Sequence, residues 1–248
     1  MPGGTTAPDN PPIEDRDVTA QYPLRGDVAV LVPAAGLGTR LGPGAPKALR
    51  ELRGVPLLAH ALRRIGEAPS VGCVVVAVPP DATTDLRPYL PGRIELYAVE
   101  GGPTRQASVA AALALAPESY KIILVHDAAR AFAPPDLVER VAAAVRGGHQ
   151  AVIPVLPVVD TIKQVDDTGH ILTTLDRSAL RSVQTPQGFQ RAVLEAGHRN
   201  AVDGHTDDAG LVEKIGVRVF TVPGSDLAMK VTHPTDLALA EFLLGPST

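Results

Sequence analysis

The sequence predicts a three-layer, doubly wound α/β fold on a mostly parallel sheet. Two observations predict it: short runs that are apolar throughout recur along the chain, and Ala/Leu-rich segments with helical spacing lie between many of them. A strand without polar alternation is buried on both faces, the environment of a parallel strand covered by helices on each side.

Residues 1–26 hold five prolines, three glycines and few apolar side chains, so they read as a flexible extension outside the fold. Residues 27–248 read as one domain. Its first strand is the apolar run 27–33, closed by Pro33, and further strands are expected at Cys73–Val78, Ile94–Val99, Ile122–Val125, Ala151–Val155 and Val217–Val222. Helical spacing places helices over Leu57–Ile65, Ser108–Leu115, Pro135–Val145 and Asp208–Ile215, and a last one over Pro234–Leu244 with Thr232 or His233 at its N-cap. The stretch 157–177 breaks the alternation. It reads as strand, Asp166-Asp167-Thr168-Gly169 turn, strand, with no helix between. A lone hairpin is marginal in water, so this one needs a partner surface, on this domain or on another subunit, and a projecting arm that makes a dimer is the expectation.

With 248 residues, the chain has room for a substantial core at a typical domain size of roughly 150 residues. Its 23 Lys+Arg against 27 Asp+Glu give a net charge of −4, no global basic field for nucleic acid. Four Phe, four Tyr and no Trp supply no rows of rings for stacking single strands. One cysteine, Cys73, makes no internal disulfide, and no Cys/His spacing resembles a zinc site. No apolar run approaches a membrane span and residues 1–27 lack a signal pattern, so a soluble cytoplasmic protein is expected.

The chemistry starts after the first strand, in Pro33-Ala34-Ala35-Gly36-Leu37-Gly38-Thr39-Arg40-Leu41 followed by Pro46-Lys47. Small residues there let backbone N–H groups approach phosphate oxygens, which makes Ala34, Ala35, Gly36 and Gly38 candidate nucleotide contacts. A dinucleotide fingerprint fails because Leu41 stands where its third glycine belongs, and a P-loop fails because Ala48 follows Lys47. What remains is a glycine loop that supplies two cations, Arg40 and Lys47, suited to a triphosphate. Downstream, the run Ile122–Val125 ends in His126-Asp127-Ala-Ala-Arg130. Asp127, at the carboxyl end of a buried strand, is a candidate hard-oxygen ligand for Mg²⁺. His126 reads as a buried, hydrogen-bonded histidine.

The loop string and His-Asp-Ala-Ala-Arg together resemble the 2-C-methyl-D-erythritol 4-phosphate cytidylyltransferases, over about residues 27–245. Further matches are Gly101-Gly102-x-x-Arg105-x-x-Ser108, Asp160-Thr161-Ile-Lys163, Asp176-Arg177, Gln184-Thr185-Pro186-Gln187, Thr206-Asp207-Asp208-Ala209 and Lys230-Val-Thr232. Pro103 and Ala228 depart from the family's pattern. The resemblance implies transfer of CMP from CTP to 2-C-methyl-D-erythritol 4-phosphate with release of pyrophosphate, in isoprenoid precursor synthesis. It implies that Gly102 and Ser108 contact the nucleoside, and that Asp127 and Arg130 face the metal and the methylerythritol phosphate. By the same resemblance Thr161, Thr185 and Thr206 contact the polyol phosphate, and Lys230 and Arg177 fix its phosphate. Arg177 does so from the arm of the neighbouring subunit of a homodimer. The residues alone leave open another polyol phosphate acceptor, such as ribitol 5-phosphate, or a silent nucleotide-binding module.

Overall fold

Alternation along the central strand decides which helices lie on which side. The structure, a computed structural model, describes residues 26–36, 38, 41, 45–80, 85–200 and 207–244. The extension expected over 1–26 therefore lies, except for Gly26, outside the described residues. In chain order the elements are β1 (Val28–Pro33), β2 (Glu51–Leu52), β3 (Val55–Pro56), α1 (Leu57–Glu67), β4 (Val71–Val78), β5 (Glu95–Glu100), α2 (Arg105–Leu115), β6 (Ile122–Val125) and α3 (Pro135–Arg146). Then come β7 (Ala151–Pro157), β8 (Lys163–Val165), β9 (Ile171–Thr174), β10 (Arg181–Val183), β11 (Gln187–Gln190), α4 (Arg191–Arg199), α5 (Asp208–Lys214), β12 (Val219–Pro223) and α6 (Pro234–Leu243).

Val28, Val30 and Val32 of β1 turn to one face of the sheet, where they pack with Leu58, Leu62 and Ile65 of α1 and Val138, Val141 and Val145 of α3. Ala29 and Leu31 turn to the other face, against Val109 and Leu113 of α2, Leu194 of α4 and Val212 of α5. Every one of these side chains is buried, each worth about 1.5–3 kcal/mol for a Val, Leu or Ile relative to exposure. That two-sided burial is why the strands carry no polar alternation, and it gives the three layers.

Among the described residues the main sheet has eight strands, in the order β10-β7-β11-β6-β1-β4-β5, with β12 on the remaining edge of β7. β1 is parallel to β4 and β6, β4 to β5, and β12 to β7. The departures are β11, antiparallel to both β6 and β7, and β10, antiparallel to β7. Because β11 runs against its neighbours, its start lies at the sheet edge where β6 ends, and residue 185 comes beside residues 126 and 127.

The predicted strands and helices are present within a few residues. The structure adds the short pair β2–β3, strands β10 and β11, and helix α4. The last helix has His233 as its N-cap, with Asp236 Oδ2 accepting from the N–H groups of Thr232 and His233 at 2.7 Å. It packs with the loop region beyond β1 through Leu41, Leu52, Leu57, Phe132, Val231 and Ala240.

The 157–177 stretch is a hairpin standing off the main sheet, with β8 and β9 paired only to each other. Its turn is where the sequence puts it: Gly169 takes φ +88°, and Asp166 Oδ1 accepts from the N–H groups of Thr168 and His170 at 2.9 Å. The strands are shorter than expected because residues 158–162 stay irregular. Val159, Val165, Ile171 and Leu172 on it are all exposed.

Candidate active site

The loops that follow β1, β5 and β6 converge on one cavity of about 610 Å³ at the carboxyl ends of the strands. Close backbone approach explains its glycines. Gly38 has φ +69°, and a Cβ there would lie 2.3 Å from Lys47 Cβ, so the turn that brings Lys47 back to the strand end admits no side chain. Gly36 O accepts from Lys47 N at 3.3 Å, tying the two ends of the loop. On the facing side, a Cβ on Gly101 would lie 2.3 Å from Ala35 Cβ, so this glycine lets the loops after β1 and β5 touch. Thr104 then caps α2, its Oγ1 accepting from Ala107 N at 3.0 Å, and the buried Ser108 Oγ lies 3.0 Å from Thr104 O.

Asp127, two residues after β6, is nearly buried. Its N–H donates to Thr185 Oγ1 at 3.0 Å. Both carboxylate oxygens meet cations: Oδ1 accepts from Arg105 Nε at 3.0 Å, and Oδ2 accepts from Lys230 Nζ at 2.7 Å. Burial alone would push this carboxyl up, but the Arg105 guanidinium and the Lys230 ammonium outweigh it and hold Asp127 well below the usual carboxylate range. Asp208 first, and then Asp127, raise Arg105 against its own burial. His126 is buried beneath, its Nδ1 3.3 Å from Thr185 Oγ1, and burial lowers its pKa to about 4. The imidazole is therefore neutral at physiological pH and packs beneath the residues that line the cavity.

Small-residue loops, Lys47, Lys230, Arg105 and the ionised Asp127, with Glu100 at the same cavity, suit a phosphate-rich ligand. Residues 28–246 match the family described as 2-C-methyl-D-erythritol 4-phosphate cytidylyltransferase. The chain belongs to this family. The cytidylyltransferase of Streptomyces avermitilis is 47% identical over 240 residues, covering 92% of this chain and 96% of that protein. That of Frankia casuarinae is 50% identical over 218 residues, covering 88% and 81%. The crystal structure of the Thermus thermophilus cytidylyltransferase superposes with a TM-score of 0.72 at 40% identity, over 87% of this chain and 98% of that one.

Within this cytidylyltransferase the cavity brings together Ala34, Ala35, Gly36, Gly38, Lys47, Gly102, Ser108, Asp127 and Lys230, nine of the residues singled out from sequence. Thr185 lies beneath them as the acceptor for Asp127 N. Arg130 is directed elsewhere, with Nη1 donating to Ala228 O at 2.6 Å and Nη2 to Val183 O at 3.1 Å, so within this chain it ties the β6 loop to residues 183 and 228. Thr161 and Arg177 are exposed on and beside the arm, away from this cavity, and Arg177 Nη1 donates to Val159 O. Arg40 and Thr206 lie outside the described residues. Asp207, next to Thr206, caps α5 by accepting from Gly210 N at 3.1 Å.

Sequence reasoning missed two residues as site members. Arg105 lines the cavity and grips Asp127, and Asp208 holds the other side of that guanidinium at 2.7 Å. Arg105 stood inside a noticed motif, but its partner is 103 residues further along the chain.

Proposed function

We propose that the chain transfers CMP from CTP to 2-C-methyl-D-erythritol 4-phosphate, giving 4-diphosphocytidyl-2-C-methyl-D-erythritol and pyrophosphate. The observation that carries this reading is the convergence of Lys47, Lys230 and Asp127 on the loop cavity after β1, in a chain of this family. The attacking group is a phosphate oxygen of the acceptor. A monoester with a second pKa of about 6 is already ionised near neutral pH, so no side chain need take its proton. His126 is not among the residues lining the cavity, and its Nδ1 lies against Thr185 Oγ1.

The barrier is then repulsion between two polyanions, lowered by positioning and fixed charge. Lys47, with Arg40 from the same loop, neutralises the triphosphate. Lys230 and Arg177 hold the incoming phosphate, and Thr161, Thr185 and Thr206 position the polyol. Ala34, Ala35, Gly36, Gly38 and Gly102 offer backbone groups to the nucleotide, with Ser108 beside the nucleoside. Arg177 reaches the site of the neighbouring subunit in a homodimer, a reading supported by the exposed Val159, Ile171 and Leu172 on the hairpin. Arg130 sets the loop that carries Asp127 and adds positive charge near the acceptor.

A divalent cation, Mg²⁺, fits this site through Asp127. Among the described residues no three metal-ligating side chains cluster, but Mg²⁺ keeps several waters and uses one or two carboxylates plus substrate phosphates. When bound it supplies charge neutralisation at the phosphoryl oxygens. Asp127 is kept ionised for this by its neighbours, and Lys230 is the ammonium that would share or yield Oδ2.

The enzyme is read as cytoplasmic; none of the described helices is long and apolar enough to cross a membrane. Pyrophosphate release from CTP, measured across a panel of polyol phosphates, tests the reading. Release with the methylerythritol phosphate is expected. Activity only with ribitol 5-phosphate would reassign the acceptor, and no release with any acceptor would leave a binding module.

A further inference from the structure

Five side chains from five separate parts of the chain form one line of hydrogen bonds and ion pairs that ends in the cavity. His198 Nε2, on α4, lies 3.1 Å from Asp208 Oδ1, and Asp208 Oδ2 accepts from Arg105 Nη1 at 2.7 Å. Arg105 Nε donates to Asp127 Oδ1 at 3.0 Å, and Asp127 Oδ2 accepts from Lys230 Nζ at 2.7 Å. Asp208 has no exposed surface. A carboxylate buried this way is costly unless paired, and it is not needed as the helix cap, a task Asp207 already performs.

What Asp208 adds is orientation. A guanidinium is a planar fork with fixed donor directions. Held by one carboxylate, it can swing about that contact; held by two, it cannot. Asp127 Oδ1 is therefore clamped by a group that is itself clamped from the interior, and Oδ2 is the oxygen left to meet cations on the cavity side. The geometry points to Asp208 as a positioning residue for the transfer reaction. It acts through Arg105 to fix which oxygen of Asp127 faces the substrate phosphates. This rests on the reading of Asp127 as the carboxylate that serves those phosphates.

The test is a double-mutant cycle in the full chain with CTP and methylerythritol phosphate, combined with crystal structures of the variants. Asp208→Asn keeps the shape and removes the charge. It is expected to lower kcat about ten- to a hundred-fold, the scale of losing a group that orients a functional ligand, with both KM values near wild type. In an Asp127→Asn background the same change should cost little more, because the residue it acts through is already disabled. Arg105→Lys, which lacks the fork, should behave like Asp208→Asn and carries the cycle if Asp208→Asn does not fold. In the crystals the 127 carboxylate should be rotated from its wild-type orientation. Wild-type kcat with a lowered Tm would make Asp208 a purely structural buried ion and overturn the proposal, as would losses that multiply independently in the double variant. An inactive wild-type chain would defeat the proposed reaction instead, and the carboxylate orientation in the variant crystals would still decide the positioning.

Discussion

Lys47 is held at the cavity by a glycine turn that tolerates no Cβ, so its backbone and the base of its side chain are placed before any ligand arrives. Lys47→Ala should lower kcat at least about 10²-fold, the scale of losing one preorganised charge donor; near-normal steady-state turnover would remove Lys47 from the mechanism. His126 makes a different prediction, for stability. Its folded pKa of about 4 lies below the ordinary 6.5, so as pH falls the unfolded chain takes up the proton first. Its contribution is complete above the unfolded value and is lost between the two, amounting to about 3 kcal/mol. Denaturant melts of wild type and His126→Gln should show the wild type losing more stability between about pH 7 and about pH 5. Equal losses would mean that His126 titrates in the folded protein as it does in the unfolded chain. At this scale the loop was legible in the sequence because its constraint is local: Gly38 and Lys47 are nine residues apart and touch. Asp208 was not, because nothing near it in the chain shows that it is buried against an arginine from α2.

The strands that could be read were those with helices on both faces, such as 28–32 and 122–125, where burial forbids polar residues. β10 and β11 could not. Each is only three or four residues long, and Gln187-Gly-Phe-Gln carries a single large apolar side chain, Phe189, with its pairing supplied by β6 and β7 from far upstream. α4 was missed for a related reason. Its apolar face is narrow, centred on Leu194, while Arg191 is buried by donating to the carbonyls of Ala116, Pro117 and Tyr120. The hairpin was legible through its turn and the missing helix between its strands, and it carries a prediction of its own. Leu172, exposed by 60%, is expected to be covered by a second copy of the chain. Leu172→Glu should shift the protein from dimer to monomer in sedimentation while leaving the sheet's circular dichroism intact. Unchanged mass would show that the arm does not mediate assembly.

For the whole molecule, a site shared across two subunits has an arithmetic consequence. Lys47→Ala and Arg177→Ala homodimers should each be poorly active. A heterodimer of the two retains one intact site, and random exchange of equal amounts should recover about a quarter of wild-type activity. No recovery after confirmed exchange would place Arg177 in the service of its own subunit. The ion pair between Asp127 and Lys230 has a further consequence, for the order in which the protein is made. The two residues are 103 positions apart, and the segment carrying Lys230 follows β12 in the chain. The cavity therefore cannot be complete on a nascent chain that has formed only β1 to β6. Affinity for the acceptor phosphate should rise only when the last segment docks, which makes a bound acceptor a sensor of finished folding. Such a ligand, at a hundred times its Kd, would add about 2.7 kcal/mol to the native state alone.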